Sequence, residues 1–203
     1  MEEKMLTRNQ IRKIALAGVF SAVSVALALL IHFPLFLPVP FLEYDPADVT
    51  IYLMTIVLGP AYGFGMTVAV SVIQGLTVSA SSGWVGIVMH IVATGSFVAA
   101  ESLVLWVVRR KRTRSELGDN GAPLVSTMSA VASILAGVTA VTGIMALWNL
   151  FLTPFFMGIP RSAVLDLYPY IIAFNLVKPF VNGVIAFVLY KTLGKLFMRY
   201  VVL

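Results

Sequence analysis

Lys178 is the only charged residue in residues 168–190, YPYIIAFNLVKPFVNGVIAFVLY. At about 1.5 Å of rise per residue, that stretch can cross the roughly 30 Å hydrocarbon core of a bilayer as a helix. An ammonium inside such a span is costly, and residues of this kind mark places where ligands or ions are handled. Asn175 lies three residues before it and Asn182 four after, so the three side chains share one helix face. Pro179 follows directly. Its ring breaks the bond to the carbonyl four residues back, that of Asn175, which predicts a kink and a free acceptor. An amide, an ammonium and a loose carbonyl suit a polar, hydrogen-bonding small molecule. The same residues also admit a structural role: a lysine locking helices through an acid, and Asn182 bonding a neighbouring helix.

Other polar groups point the same way. Asn149, in MALWNLFLTP, ends the fifth apolar run, level with Asn175. It is either a second amide on the same ligand or a cap on a helix C-terminus. Glu43, Tyr44, Asp45 and Asp48 close an apolar loop. One of these acids can pair with Lys178 or accept from ligand hydroxyls, while Asp48 can also serve as an N-cap or first-turn acid. His90 lies in GIVMHIVATGSF, with Glu101 three turns further along roughly the same face. That pair reads as a proton relay or as polar groups satisfied across a helix interface. Gly86, Gly95 and Ser96 permit close approach of a helix or a ligand.

Several chemistries are not expected. No His lies near the loop acids in sequence, and no Asp or Glu repeats at ligand spacing within the apolar runs, so no metal site is expected. The chain has no Cys, which removes disulfides, thiolate ligands and Cys nucleophiles. It has no P-loop, GxSxG or HExxH, so the expectation is a protein that is not an enzyme, and any energy for moving a solute would come from elsewhere.

The elements that position these residues are membrane spans. The 203 residues are 60% hydrophobic and 11% charged, with a mean hydropathy of +0.97. A soluble domain of this size could not hide that much apolar surface. The net charge of +5 does not indicate nucleic acid, because 12 of the 14 Lys and Arg fall in three clusters beside apolar runs: Lys4 to Lys13, Arg109 to Arg114, and Lys191 to Arg199. The expected fold is an all-α six-helix bundle in one transmembrane domain, residues 1–203. Its spans are read at about 11–32, 49–58, 61–78, 84–108, 124–150 and 168–190. The positive-inside rule puts both termini and the 109–122 loop in the cytoplasm. The prolines of FPLFLPVPFLEYDPAD disfavour a helix there, and its Phe and Leu content predicts a loop folded back as a lid or plug. FLTPFFMGIPRSAVLDL, residues 151–167, reads as a second loop. Ala15, Gly18, Ala22 and Ala26 form a small-residue ridge along the first span, fit for another span or a partner subunit.

These features resemble the substrate-binding S components of energy-coupling factor (ECF) vitamin transporters, and most closely those specific for riboflavin. The resemblance rests on FLEYDPADV at 41–49, LGPAYGFG at 58–65, GIVMHIVATGSF at 86–97, WNLFLTPFFMG at 148–158 and IIAFNLVKPFVNGVI at 171–185. It implies a bundle in a prokaryotic plasma membrane that holds one vitamin near the outer face under the first loop. It also implies a transmembrane coupling subunit and two ABC ATPases as partners, docked in part on the ridge of the first span. Carried over by position, Asn149, Asn175 and Lys178 would hydrogen-bond a flavin. Leu42, Tyr44, Asp45 and Asp48 would enclose it, with Met89, His90 and Gly95 from the fourth span. His90 stands where the resemblance leads one to expect another polar residue such as Asn. Riboflavin is the implied ligand, and Lys178 could also accept the anionic mononucleotide FMN. No cofactor, metal or nucleic acid is implied. Competing classes are an S component for another vitamin, an intramembrane enzyme and an assembly subunit.

Overall fold

The computed structural model describes residues 2–111 and 125–202. They form six α-helices: α1 (Glu2–Leu30), α2 (Ala47–Leu58), α3 (Pro60–Leu76), α4 (Gly83–Lys111), α5 (Thr127–Met157) and α6 (Arg161–Val202). A two-residue antiparallel ladder, β1 (Phe33–Pro34) with β2 (Glu43–Tyr44), closes the first loop. A 3₁₀ turn, Ala80–Ser82, joins α3 to α4. Residues 112–124 lie outside the described residues, and with them most of the basic 109–122 loop and the start expected for the fifth span.

Among the described residues, four helical stretches are long and apolar enough to cross a membrane: Arg8–Leu30, Ala80–Arg110, Thr127–Met157 and Arg161–Gly194. The count expected from sequence was six. The difference lies in α2 and α3. With 12 and 17 residues, they reach only about 18 and 26 Å. α2 is a central helix, and every residue from Ala47 to Ile56 is buried. It is packed by α1, α3, α4 and α6. Gly59, at φ 99°, makes the turn out of α2, a conformation open to glycine.

Two expectations about the second half are corrected. Residues 151–167 are not a loop. α5 runs through Pro154 to Met157, and α6 begins at Arg161. A proline within a helix forfeits its own donor, and membrane helices tolerate that loss when neighbours satisfy the freed group. The chain turns at Gly158, in the left-handed region, where the Gly158 and Ile159 amides both donate to the Pro154 carbonyl. Asn149 therefore does not cap a helix end. It lies inside α5, fully buried, donating from Nδ2 to the Met145 carbonyl and accepting from Thr153 Oγ1. Nor is the Asn175 carbonyl left free by Pro179, because Thr142 Oγ1 on α5 donates to it at 2.9 Å.

The first loop packs back on the bundle as its composition predicts. Val39 and Leu42 are buried in an apolar cluster with Val164, Ile171 and Phe174 of α6. The first-span ridge faces away from the bundle: Ala15, Gly18, Ala22 and Ala26 are all exposed.

Candidate functional site

A cavity of about 470 Å³ opens where the first loop, α2 to α6 and the 3₁₀ turn converge. That volume falls within the usual range for small-molecule sites, about 300–1,000 Å³. Leu42, Asp45, Asp48, Met89, His90, Asn175 and Lys178 all line it, so seven residues from four separate elements meet at one place. Tyr52, Met145 and Phe174 add apolar surface. Three other expected residues do not line the cavity. Tyr44 serves the loop, Gly95 faces the Phe64 ring of α3, and Asn149 sits one hydrogen bond behind the lining Thr153.

The site is held by a chain of bonded polar groups. Lys178 Nζ lies 2.6 Å from Asp45 Oδ2 and 4.0 Å from Asp48 Oδ2. Asp48 Oδ1 accepts from Thr94 Oγ1 at 2.8 Å and meets His90 Nε2 at 3.1 Å. The other ring nitrogen of His90 meets Ser71 Oγ at 2.9 Å, and Ser71 donates to the Thr67 carbonyl at 2.6 Å. Asp48 lies in the first turn of α2, but its carboxylate caps nothing. The residue at the cap position is Pro46, without a side-chain bond. Instead Asp45 Oδ1 accepts from the Ala47 amide. Charged and polar groups buried this deeply persist only when paired, and here the first loop and four helices supply the pairs.

His90 and Glu101 are not joined. His90 is engaged at both nitrogens by Asp48 and Ser71, while Glu101 is buried and its Oε2 has no partner among the described residues. The structure thus favours the interface role for His90 over a relay with Glu101.

Asn182 latches the loop instead of lining the cavity. Its Oδ1 accepts from the Tyr44 hydroxyl and its Nδ2 donates to the Asp45 carbonyl, both at 3.0 Å. Burial raises the Tyr44 pKa above its ordinary value; Lys178 opposes the rise and Asp45 and Asp48 add to it. The phenol therefore stays protonated and able to donate. With the Lys178–Asp45 pair, these bonds fasten the loop to two successive turns of α6.

Sequence reasoning missed Ser71, Gln74 and Thr94. The signal was present: Ser71 and Gln74 are three apart on a largely apolar α3, and Thr94 is four after His90, each pair on one face.

Residues 12–194 match the family model described as ECF transporter, substrate-specific component. A solved structure, reported as the S component of a bacterial ECF transporter, superposes with a TM-score of 0.74 at 22% identity, covering 92% of this chain and 98% of that chain. At that identity the likeness shows the fold. No curated protein matches the chain.

Proposed function

Because this chain belongs to the substrate-specific components of ECF transporters, we propose that it is a riboflavin-binding one, taking the vitamin at the outer face. Membership makes it a multi-pass membrane protein and implies association with an ECF module of coupling subunit and ATPases. The observation that carries the flavin reading is the pairing of apolar and polar walls in one cavity: Tyr52, Met89, Met145 and Phe174 beside Asn175, Lys178, Asp45 and Asp48. Riboflavin has a flat aromatic ring, an imide edge with donors and acceptors, and a polyhydroxyl tail. The apolar wall suits the ring and the amide and charged groups suit the polar edge. The neutral vitamin is favoured over FMN. Lys178 is already matched by Asp45 and Asp48, so an added phosphate of about −1.5 to −2 charge finds no spare cation there.

In this reading the whole chain is one transmembrane domain of a prokaryotic plasma membrane, with both termini cytoplasmic. The cavity lies at the bundle end that carries the first loop, the 3₁₀ turn and the α5–α6 turn, away from the basic chain ends. α2 and α3 complete the six passes. The coupling subunit docks on the exposed ridge of Ala15, Gly18, Ala22 and Ala26, and the protein catalyses no reaction.

Fluorescence-quenching titrations of riboflavin and FMN into wild type, Asn175→Ala and Lys178→Ala test this. The expected result is saturable riboflavin binding in wild type, weakened at least tenfold in both variants, with FMN weaker than riboflavin throughout. Wild type that quenches neither flavin removes the assignment and moves the search to other vitamins. Variants that bind as wild type does make Asn175 and Lys178 structural.

A further inference from the structure

The polar residues of the bonded chain find their partners inside the protein. Lys178 meets Asp45, Thr94 and His90 meet Asp48, and Ser71 bridges His90 to the Thr67 carbonyl. Gln74 is different. It lies on α3 one turn beyond Ser71, lines the cavity and is 7% exposed. Its Nε2 has no hydrogen-bond partner among the described residues. Buried amide donors are almost always paired, and the Gln74 amide, whose Nε2 is closed off and unpartnered, can turn toward a ligand in the cavity without breaking a bond in the protein.

The neighbours of Gln74 indicate which part of a ligand it meets. Ser79, Ser81 and Ser82 line the cavity at the same α3–α4 connection, and Ser81 is exposed. This part of the wall is hydroxyl-bearing and open to solvent. The apolar side chains Tyr52, Met145 and Phe174 come from α2, α5 and α6. A flat ring gains nothing from a rim of serines, whereas a chain of hydroxyls exchanges water for such a rim with little loss.

Resting on the flavin reading above, we propose that the Gln74 amide turns into the cavity so that Nε2 donates to a hydroxyl oxygen of the ligand's polyhydroxyl chain, and that the Ser79–Ser82 rim seats that chain. Gln74 then reads the chain, while the Asn175–Lys178 face reads the ring edge.

The test compares riboflavin with lumiflavin, which carries a methyl group in place of the hydroxylated chain. Both are titrated by fluorescence quenching into detergent-purified wild type, Gln74→Met and Gln74→Leu. Lumiflavin binding also reports that each variant is folded. The expected result is lumiflavin affinity unchanged in at least one variant, with riboflavin affinity there lowered about five- to tenfold, the worth of one neutral hydrogen bond. Equal losses for the two ligands in both variants, or no loss for either, overturn the proposal. Wild type that binds lumiflavin as tightly as riboflavin also overturns it, because the chain is then unrecognised. Wild type that binds neither removes the flavin reading itself, a separate outcome.

Discussion

Lys178→Met should expose the value of the ion pair that ties the first loop to α6. The ammonium sits 2.6 Å from Asp45 and 4.0 Å from Asp48, with side chains 12%, 14% and 5% exposed. Removing it leaves two carboxylates largely out of water, with only His90 and Thr94 still on Asp48. Breaking a buried pair from one side costs about 3–5 kcal/mol. For a protein of this size, about 2–4 °C of Tm per kcal/mol makes that a drop of about 6–20 °C. Asp45→Asn added to Lys178→Met removes the stranded charge at almost no change in volume. The double variant should regain at least about 1.5 kcal/mol over the sum of the single effects, or about 3–6 °C. The assay is thermal unfolding of the ligand-free protein in one detergent at one scan rate. A Lys178→Met variant melting within about 2 °C of wild type would refute the reasoning, given the drop worked out above. So would a double variant no more stable than additivity allows.

Two further substitutions test the frame around the cavity. At Gly137 a Cβ would stand 2.6 Å from ring carbons of Phe97, whose ring is stacked on Tyr52 at 3.7 Å and has little room to retreat. Gly137→Ala should cost about 1–3 kcal/mol in thermal melts, and a wild-type Tm would show that the α4–α5 contact is looser than described. Asn182→Leu leaves the Tyr44 hydroxyl and the Asp45 carbonyl without their partner. A glutamyl-specific protease should then cut faster after Glu43, and an unchanged rate would mean that the loop is held without this latch.

How far the sequence could be read depends on the range of the interaction. The charge-free run around Lys178 and the i, i+3 and i+4 placing of Asn175 and Asn182 are local, and they identified the face of α6 that meets the loop. The partner of Lys178 is Asp45, 133 positions away, and no periodicity reaches that far. The roles within the Asn175–Asn182 stripe separated for the same reason: Asn175 lines the cavity, while Asn182 turns to Tyr44 and the Asp45 carbonyl. Pro154 points to a loop because proline breaks most helices. Inside a packed membrane helix the lost bond is tolerated, and the stop is supplied by Gly158 instead. The smooth ridge on α1 was legible as a ridge but not as an exposed one. Which side faces out depends on Ser24, which bonds the Ala47 carbonyl and Thr50 on α2 and so fixes the rotation of α1.

The most direct test of the central claim is an absorbance and fluorescence spectrum of the protein purified in detergent, recorded before and after denaturation. A flavin spectrum in the folded protein, with free riboflavin released on unfolding, is the predicted result. A colourless preparation that also fails to quench added riboflavin would contradict the flavin assignment while leaving the ECF substrate-binding scaffold in place.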